Sequence, residues 1–268
     1  DVDPRGITRG GSFYNPDWLC RSYIRMQTPL GRMVHSNNGF RLVCDVEDRD
    51  GSFARSGQSP AGSTGLLASG LMPVEVSLPG RMYEGTPKDF RAPRTKAVQT
   101  EEGPPFLAPA GTTNVALGKP VSSSDPEPIT GELEMITDGD KEAADGSYVE
   151  LGPLLQHVTI DLEGEHEIYG LRVWHFHKDP RVYFDVIVQI SNDPDFIEGV
   201  KTIFNNDMDN SAGLGVGADM HYVDTHFGEI FDARGFRGRY VRLYSNGNTA
   251  TDTNHYIEAE VYGRPARQ

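Results

Sequence analysis

Carboxylates gather in the loop Asp138-Gly139-Asp140-Lys141-Glu142-Ala143-Ala144-Asp145-Gly146. Two more, Glu258 and Glu260, stand at i and i+2 near the C-terminus, where an extended chain turns both to one side. With backbone carbonyls and glycine turns, Asp138, Asp140, Asp145, Glu258 and Glu260 supply the oxygen chemistry that a hard cation such as Ca²⁺ needs, roughly six to eight ligands. The competing reading is a solvated acidic turn, since the spacing is not that of an EF-hand.

A second group reads Trp174-His175-Phe176-His177-Lys178-Asp179-Pro180-Arg181. His175 and His177, two apart at the end of an extended run, suit paired metal ligands, sugar-hydroxyl partners or internal hydrogen bonds. Sugar sites combine an aromatic platform with imidazole, guanidinium and amide groups that bond ring hydroxyls. Arg181 extends that set, as do Asn246, Asn248, Asn254, His255 and Tyr256 in the polar stretch Ser245 to Tyr256. A zinc site would need a third and a fourth ligand, which the sequence does not identify.

The glycine-rich stretch Phe204 to Gly217 resembles a phosphate loop only in its glycine count. It lacks the Gly-Lys-Ser/Thr ending and carries Asp207 and Asp209, so it reads as an ordered surface loop that walls a ligand site or faces a partner. Glycosidase chemistry needs two carboxylates about 5–9.5 Å apart in a cleft, and nothing singles out such a pair. No Gly-x-Ser-x-Gly or HExxH motif is present, and the chain reads as a non-enzyme.

The elements that position these groups are strands. Val158, Ile160 and Leu162 alternate with Thr159 and Asp161, and Leu171 and Val173 with Arg172 and Trp174. Phe184, Val186, Val188 and Ile190 alternate with Asp185, Ile187 and Gln189; Val241 and Leu243 with Arg242 and Tyr244; Ile257, Ala259 and Val261 with Glu258, Glu260 and Tyr262. Period-2 alternation predicts half-buried strands, and without helical spacing between them the economical architecture is a mainly β, antiparallel two-sheet sandwich over 113–265. Residues 49–112 are Gly/Pro/Ser-rich without a sustained period and read as a linker that wraps a surface or joins two units. Residues 1–48, with a short strand expected at Phe40–Val43, hold too few apolar side chains for a core of their own.

Charge separates the segments. Of a net charge of −14, residues 111–268 hold 27 acidic against 12 basic side chains, so a phosphate backbone is repelled and nucleic acid is an unsuitable partner. Neutral ligands, cationic surfaces or divalent cations suit such a surface. Cys20 and Cys44 belong to no metal or redox motif, and form either one disulfide or two buried thiols. No apolar run reaches the roughly 20 residues of a membrane span. The chain opens at Asp1 without an initiator Met and reads as part of a longer precursor.

Collinear motifs carry a resemblance over 110–265: Asn114-Val115-Ala116-Leu117-Gly118-Lys119-Pro120-Val121, Ile136-Thr137-Asp138-Gly139-Asp140, Val158-Thr159-Ile160-Asp161-Leu162, Val186 to Asp193, Arg239 to Tyr244 and Glu258 to Gly263. This stretch resembles the discoidin family (coagulation factor 5/8 type C), whose sugar-binding members are family 32 carbohydrate-binding modules. The resemblance implies a jelly-roll sandwich of the galactose-binding-domain type, with a ligand site in the loops at one end, formed by the stretches holding His175 to Arg181 and Asn246 to Tyr256. It also implies a structural calcium between the Asp-Gly loop and a glutamate near the C-terminus. The family includes lipid-, collagen- and protein-binding members as well. Residues 1–48 resemble the C-terminal end of the formylglycine-generating (sulfatase-modifying factor) family through Arg9-Gly10-Gly11-Ser12, Arg21-Ser22-Tyr23 and Asn37 to Val43. The two cysteines of its oxidising members would fall at Asn15 and Cys20, so one thiol is missing.

The reading that unites these observations is an extracytoplasmic, non-catalytic module that binds glycan or cell-surface polysaccharide. The alternatives are a structural subunit of a larger extracytoplasmic complex, with other protein subunits as partners, and a piece of a formylglycine-generating-type enzyme.

Overall fold

The computed structural model describes residues 70–88 and 90–266, together with the backbone of two strands nearer the N-terminus, β1 (Arg5–Arg9) and β2 (Arg25–Pro29). These two pair antiparallel, Ile7 opposite Gln27, within a first unit of Asp1–Ser63. The strand expected at Phe40–Val43, the motifs around Gly10, Arg21 and Asn37, and both cysteines lie outside the described residues.

The second unit, Thr64–Gln268, is built almost wholly of strands. In chain order they are β3 (Leu71–Pro73), β4 (Leu107–Pro109), β5 (Thr113–Asn114), β6 (Val121–Ser123), β7 (Val149–Leu151), β8 (Gln156–Trp174), β9 (Ile187–Ser191), β10 (Lys201–Asn205), β11 (Glu229–Ser245), β12 (Asn254–Tyr256) and β13 (Glu258–Pro265). Every ladder among them is antiparallel. A 3₁₀ turn, Leu133–Thr137, precedes the acidic loop.

Two long strands explain the architecture. The first half of β8 pairs with the second half of β11, Ile160 opposite Val241, while its second half pairs with the first half of β11, Leu171 opposite Phe231. On their outer edges the early part of β8 takes β6 and its late part takes β13, while the late part of β11 takes β9. Register shifts between Asp232 and Phe236, and between Gly238 and Tyr240, mark where the ladder bends. There Glu163 (φ 61°), Arg234 (φ 55°) and Gly235 (φ 77°) adopt left-handed backbone, which turns a strand out of its plane. One ladder thus folds over itself into the two sheets of a jelly-roll antiparallel sandwich, β6-β8-β11-β9-β10 facing β5-β13-β8-β11. Both halves fill one core: Val158, Ile160, Leu162, Leu171, Val173, Phe231, Val241, Leu243, Ala259 and Val261 cluster with the inward residues of β9. Each fully buried aliphatic side chain of this kind contributes about 1.5–3 kcal/mol.

Alternation predicted one wet face on each strand; β9 and β13 depart from it most, and Thr159 and Trp174 of β8 and Tyr244 of β11 are buried as well. In β9 all five residues are buried, and in β13 the run Glu258 to Gly263 is buried on both faces. For β13 the cover is residues 70–112. Beyond the β3–β4 pair these have the irregular backbone their composition suggested, and they lie along the sandwich. Phe106 packs on Tyr262 with ring centroids 5.9 Å apart, Val76 and Leu78 pack against Trp174 and Ile257, and the backbone of Arg94 and Lys96 exchanges hydrogen bonds with His221. Gly170 makes room for this strap, since a Cβ there would stand 2.5 Å from Phe106 Cζ.

Candidate functional site

Seven of the eight side chains expected to meet a ligand are buried: His175, His177, Arg181, Asn248, Asn254, His255 and Tyr256. Most serve as internal fasteners, which corrects the expectation that the whole set projects into a site. Asn254 accepts the Gly247 amide at 2.9 Å and donates to the carbonyls of Gly152 and Leu154, tying the β11–β12 loop to the β7–β8 loop. The Tyr256 hydroxyl meets Ser245 Oγ at 3.0 Å and the Leu243 carbonyl at 3.3 Å. His255 Nδ1 lies 3.1 Å from the Tyr183 hydroxyl and Nε2 lies 3.4 Å from Glu150. Burial pushes its pKa down to about 4 despite the opposing pull of Glu150, so the ring is neutral. His175 stacks on Tyr183 at 4.4 Å and sets Nδ1 3.2 Å from Asp224, while His177 Nε2 sits 2.9 Å from the Lys141 carbonyl. Trp174, the other aromatic of that stretch, is buried and donates its indole N–H to the His226 carbonyl.

The open surface lies next to these fasteners and centres on Phe184. Three concavities of about 440, 440 and 620 Å³ share this half-buried ring as a wall. Asn246 borders two of them, Asn248 two, and Arg181 one. The alternation placed Phe184 in the core, in phase with Val186. Asp185 instead adopts φ 48°, which breaks the phase, so Val186 enters the core while Phe184 faces the surface. Backbone bonds with the loop ahead of β12 hold it there, Phe184 N to the Gly247 carbonyl at 3.1 Å and Asn246 N to the Phe184 carbonyl at 2.9 Å. Polar groups ring the aromatic face. Asn246 Nδ2 and Ser211 Oγ both donate to Asp185 Oδ2 at 2.8 Å, and His221 approaches edge-on with centroids 5.7 Å apart. Arg181 is held by Asp179, through Nε to the carbonyl and Nη2 to the carboxylate, with its guanidinium 5.1 Å from the Phe176 ring centroid. Nothing in the sequence pattern pointed to Phe184, since only the left-handed turn at Asp185 reveals its exposure.

The acidic set divides. Asp138, Asp140 and Asp145 are exposed. Asp138 accepts the Asp140 amide and Asp140 accepts the Glu142 amide, each closing a tight turn, while Lys178 draws Asp145 away at 2.6 Å. Glu258 is fully buried; its Oε2 accepts the Gly139 amide at 3.1 Å and its Oε1 has no partner. Burial first, then the charges of Glu260 and Asp138, raises its pKa to about 8. Glu260 is met by Lys141 Nζ at 2.6 Å and by the Tyr262 hydroxyl at 2.5 Å. Of this set Glu258, with its bare buried oxygen, and Asp138 are left for a cation to join, while Glu260 is already neutralised by Lys141, and among the described residues no three of these acids bring their oxygens within 4.8 Å of one another. Asp145 stands apart with its lysine.

No family model matches the chain, and no curated protein matches it. Solved structures do. A family 89 glycoside hydrolase from Clostridium perfringens, in complex with 2-acetamido-1,2-dideoxynojirmycin, is 19% identical over 57% of this chain and 15% of its own, with a TM-score of 0.42. A Streptococcus pneumoniae fucose binding module is 16% identical over 56% of this chain and 97% of its own, with a TM-score of 0.38. A mutant of chitosan-binding module 1, derived from a chitosanase/glucanase of a Paenibacillus species, is 17% identical over 56% and 98%, with a TM-score of 0.41. The match thus spans 15% of the hydrolase's length and nearly all of each binding module.

Proposed function

We propose that this chain is an extracytoplasmic, non-catalytic carbohydrate-binding module whose site is the concave surface around Phe184. The observation that carries the reading is the half-buried Phe184 ring shared by three hollows, with amide, carboxylate, imidazole and guanidinium groups around it. A pyranose presents C–H bonds on its faces and hydroxyls on its rim, which suits an aromatic wall bordered by such donors and acceptors. The excess of acidic side chains over 111–268 favours a neutral sugar over a polyanion. The resemblance to the discoidin family supports the same class of ligand and a location outside the cytoplasm. No helix among the described residues is long and apolar enough to cross a membrane.

A glycan array on folded protein, followed by calorimetry on the hits, tests the reading. Binding to a neutral sugar that falls at least roughly tenfold in Phe184→Ala, with an unchanged melting profile, supports it. No binding to any glycan, or full retention by Phe184→Ala, overturns it.

Structural calcium at Asp138 and Glu258 belongs to this proposal, supported by the unpartnered Glu258 Oε1 and the crowded charges beside it. The rival reading as a structural subunit drew on the long irregular stretch, on the ground that such segments order against a partner. Residues 70–112 find that partner in their own sandwich.

A further inference from the structure

We infer that Asp185, Asp207 and Asp209 form a calcium site in the wall of the hollow beside Phe184. One carboxylate oxygen from each lies within 4.8 Å of the other two, and among the described residues no other set of three potential metal ligands comes so close. Asp185 and Asp207 are 8% and 0% exposed, and among the described residues neither is within 4.0 Å of a lysine or arginine nitrogen. Two buried carboxylates side by side without a counter-charge are costly unless a cation joins them.

The loop supplies the right spacing. Asp207, Asp209 and Ser211 stand at i, i+2 and i+4, the alternation by which calcium loops turn successive oxygens toward one centre. Amides already hold the carboxylates in place, Ser211 N and Ala212 N on Asp207 and Ser211 N on Asp209. Asp185 joins from the chain entering β9, braced by Ser211 Oγ and Asn246 Nδ2.

Two further groups point to an occupant, apart from the acids themselves. His221 Nδ1 and Asn206 Nδ2 are buried without a hydrogen-bond partner, their residues are 4% and 0% exposed, and both side chains line the same hollow as Asp185 and Asp209. In the tautomer protonated at Nε2, His221 Nδ1 is an acceptor for a hydrogen bond from water on the ion. Asn206 Oδ1 is fixed by the Val186 amide, so its unpartnered atom is a donor for an oxygen in the hollow. An all-oxygen set on an irregular loop favours calcium over magnesium, which demands strict octahedral geometry. The site stands whether or not the hollow takes a sugar.

The test is calcium titration calorimetry on the whole chain after exhaustive chelation, using wild type, Glu258→Gln, Asp209→Asn and the double variant. Asp209 is exposed, so its replacement leaves packing intact, and thermal melts in chelator verify that each variant is folded. The expected result is calcium binding by Glu258→Gln that weakens by roughly tenfold or more in the double variant. Terbium luminescence, sensitised by nearby aromatic rings, should fall in step. Absence of calcium binding in Glu258→Gln, or equal affinity with and without Asp209→Asn, overturns the inference. Glycan binding that fails while this titration succeeds would refute the carbohydrate reading alone.

Discussion

Glu258 and Gly139 are joined across 119 positions by one hydrogen bond, carboxylate oxygen to backbone amide at 3.1 Å, and the other carboxylate oxygen is left buried and bare. A carboxyl in that setting keeps its proton to about pH 8 in the folded chain, whereas the unfolded chain releases it in the usual carboxylate range. Between those limits the folded state holds the extra proton, so stability falls as pH rises and levels off above about 8.

Glu258→Gln, which keeps an acceptor for Gly139, should abolish that slope and raise stability at pH 8 by on the order of 4 kcal/mol in chelator. Thermal melts at pH 5, 6.5 and 8 measure it. Parallel slopes in wild type and variant would show that Glu258 is not the titrating group.

Histidines act in the opposite sense. Burial lowers His255 and His157 each to about 4. Their stabilising effect is present above the ordinary histidine value of about 6.5 and is lost as pH falls toward 4, because the unfolded chain then binds the protons. Imidazole proton resonances of both rings should stay flat from pH 8 to about 5. A midpoint near 6.5 in either would mean that its ring is open to solvent.

Asn254 and Asn246 should separate fold from binding. Asn254→Ala strands one buried amide and releases two part-buried carbonyls, and should cost about 1–3 kcal/mol, lowering the melting temperature by roughly 2–12 °C. Asn246→Ala, half-buried and with a single side-chain bond to Asp185, should cost under about 1 kcal/mol yet weaken sugar binding. Differential scanning calorimetry and titration calorimetry on both variants check the contrast, which fails if the two lose stability equally.

Gly170→Ala should free the strap and spare the sandwich. Its Cβ would collide with the Phe106 ring, so that ring must lift from Tyr262. Limited proteolysis should then cut within 80–106 at least several-fold faster than in wild type, with a resistant core beginning near Thr113. Unchanged cleavage would mean that Phe106 does not anchor the strap.

The sandwich was legible because burial on a sheet writes itself as period 2. Val158, Ile160, Leu162, Val241 and Leu243 stand in the core as their alternation required. Alternation is blind to what covers the second face, so Glu258 and Glu260, read as outward, are buried under the strap and the Asp138 turn. It is also blind to a single left-handed residue. Asp185 turned a nominal core position, Phe184, into the aromatic wall of the hollows. Residue type suggested polar loops around Arg181, Asn246 and Asn248, and these do border the open surface. For His177, Asn254, His255 and Tyr256 the chemistry was read correctly but not its direction, because a group that can bond a sugar hydroxyl bonds a buried carbonyl or phenol equally well, while His175 is stacked on Tyr183 beside Asp224. The acidic pattern drew attention to Asp138 and its neighbours, while the tightest carboxylate trio required a loop to come back against the chain entering β9.

The folding back of β8 and β11 through both sheets has a kinetic corollary. Neither sheet can be completed before the other, and closure waits on contacts such as Asn114 with Val261, 147 positions apart. Chains dominated by such distant pairings cross their folding barrier slowly, in milliseconds to seconds or longer, with strand edges unpaired meanwhile. The strap that dries β13 is made before the sheet it covers, so in a chain growing from its N-terminus it is at hand to shield those edges as they form.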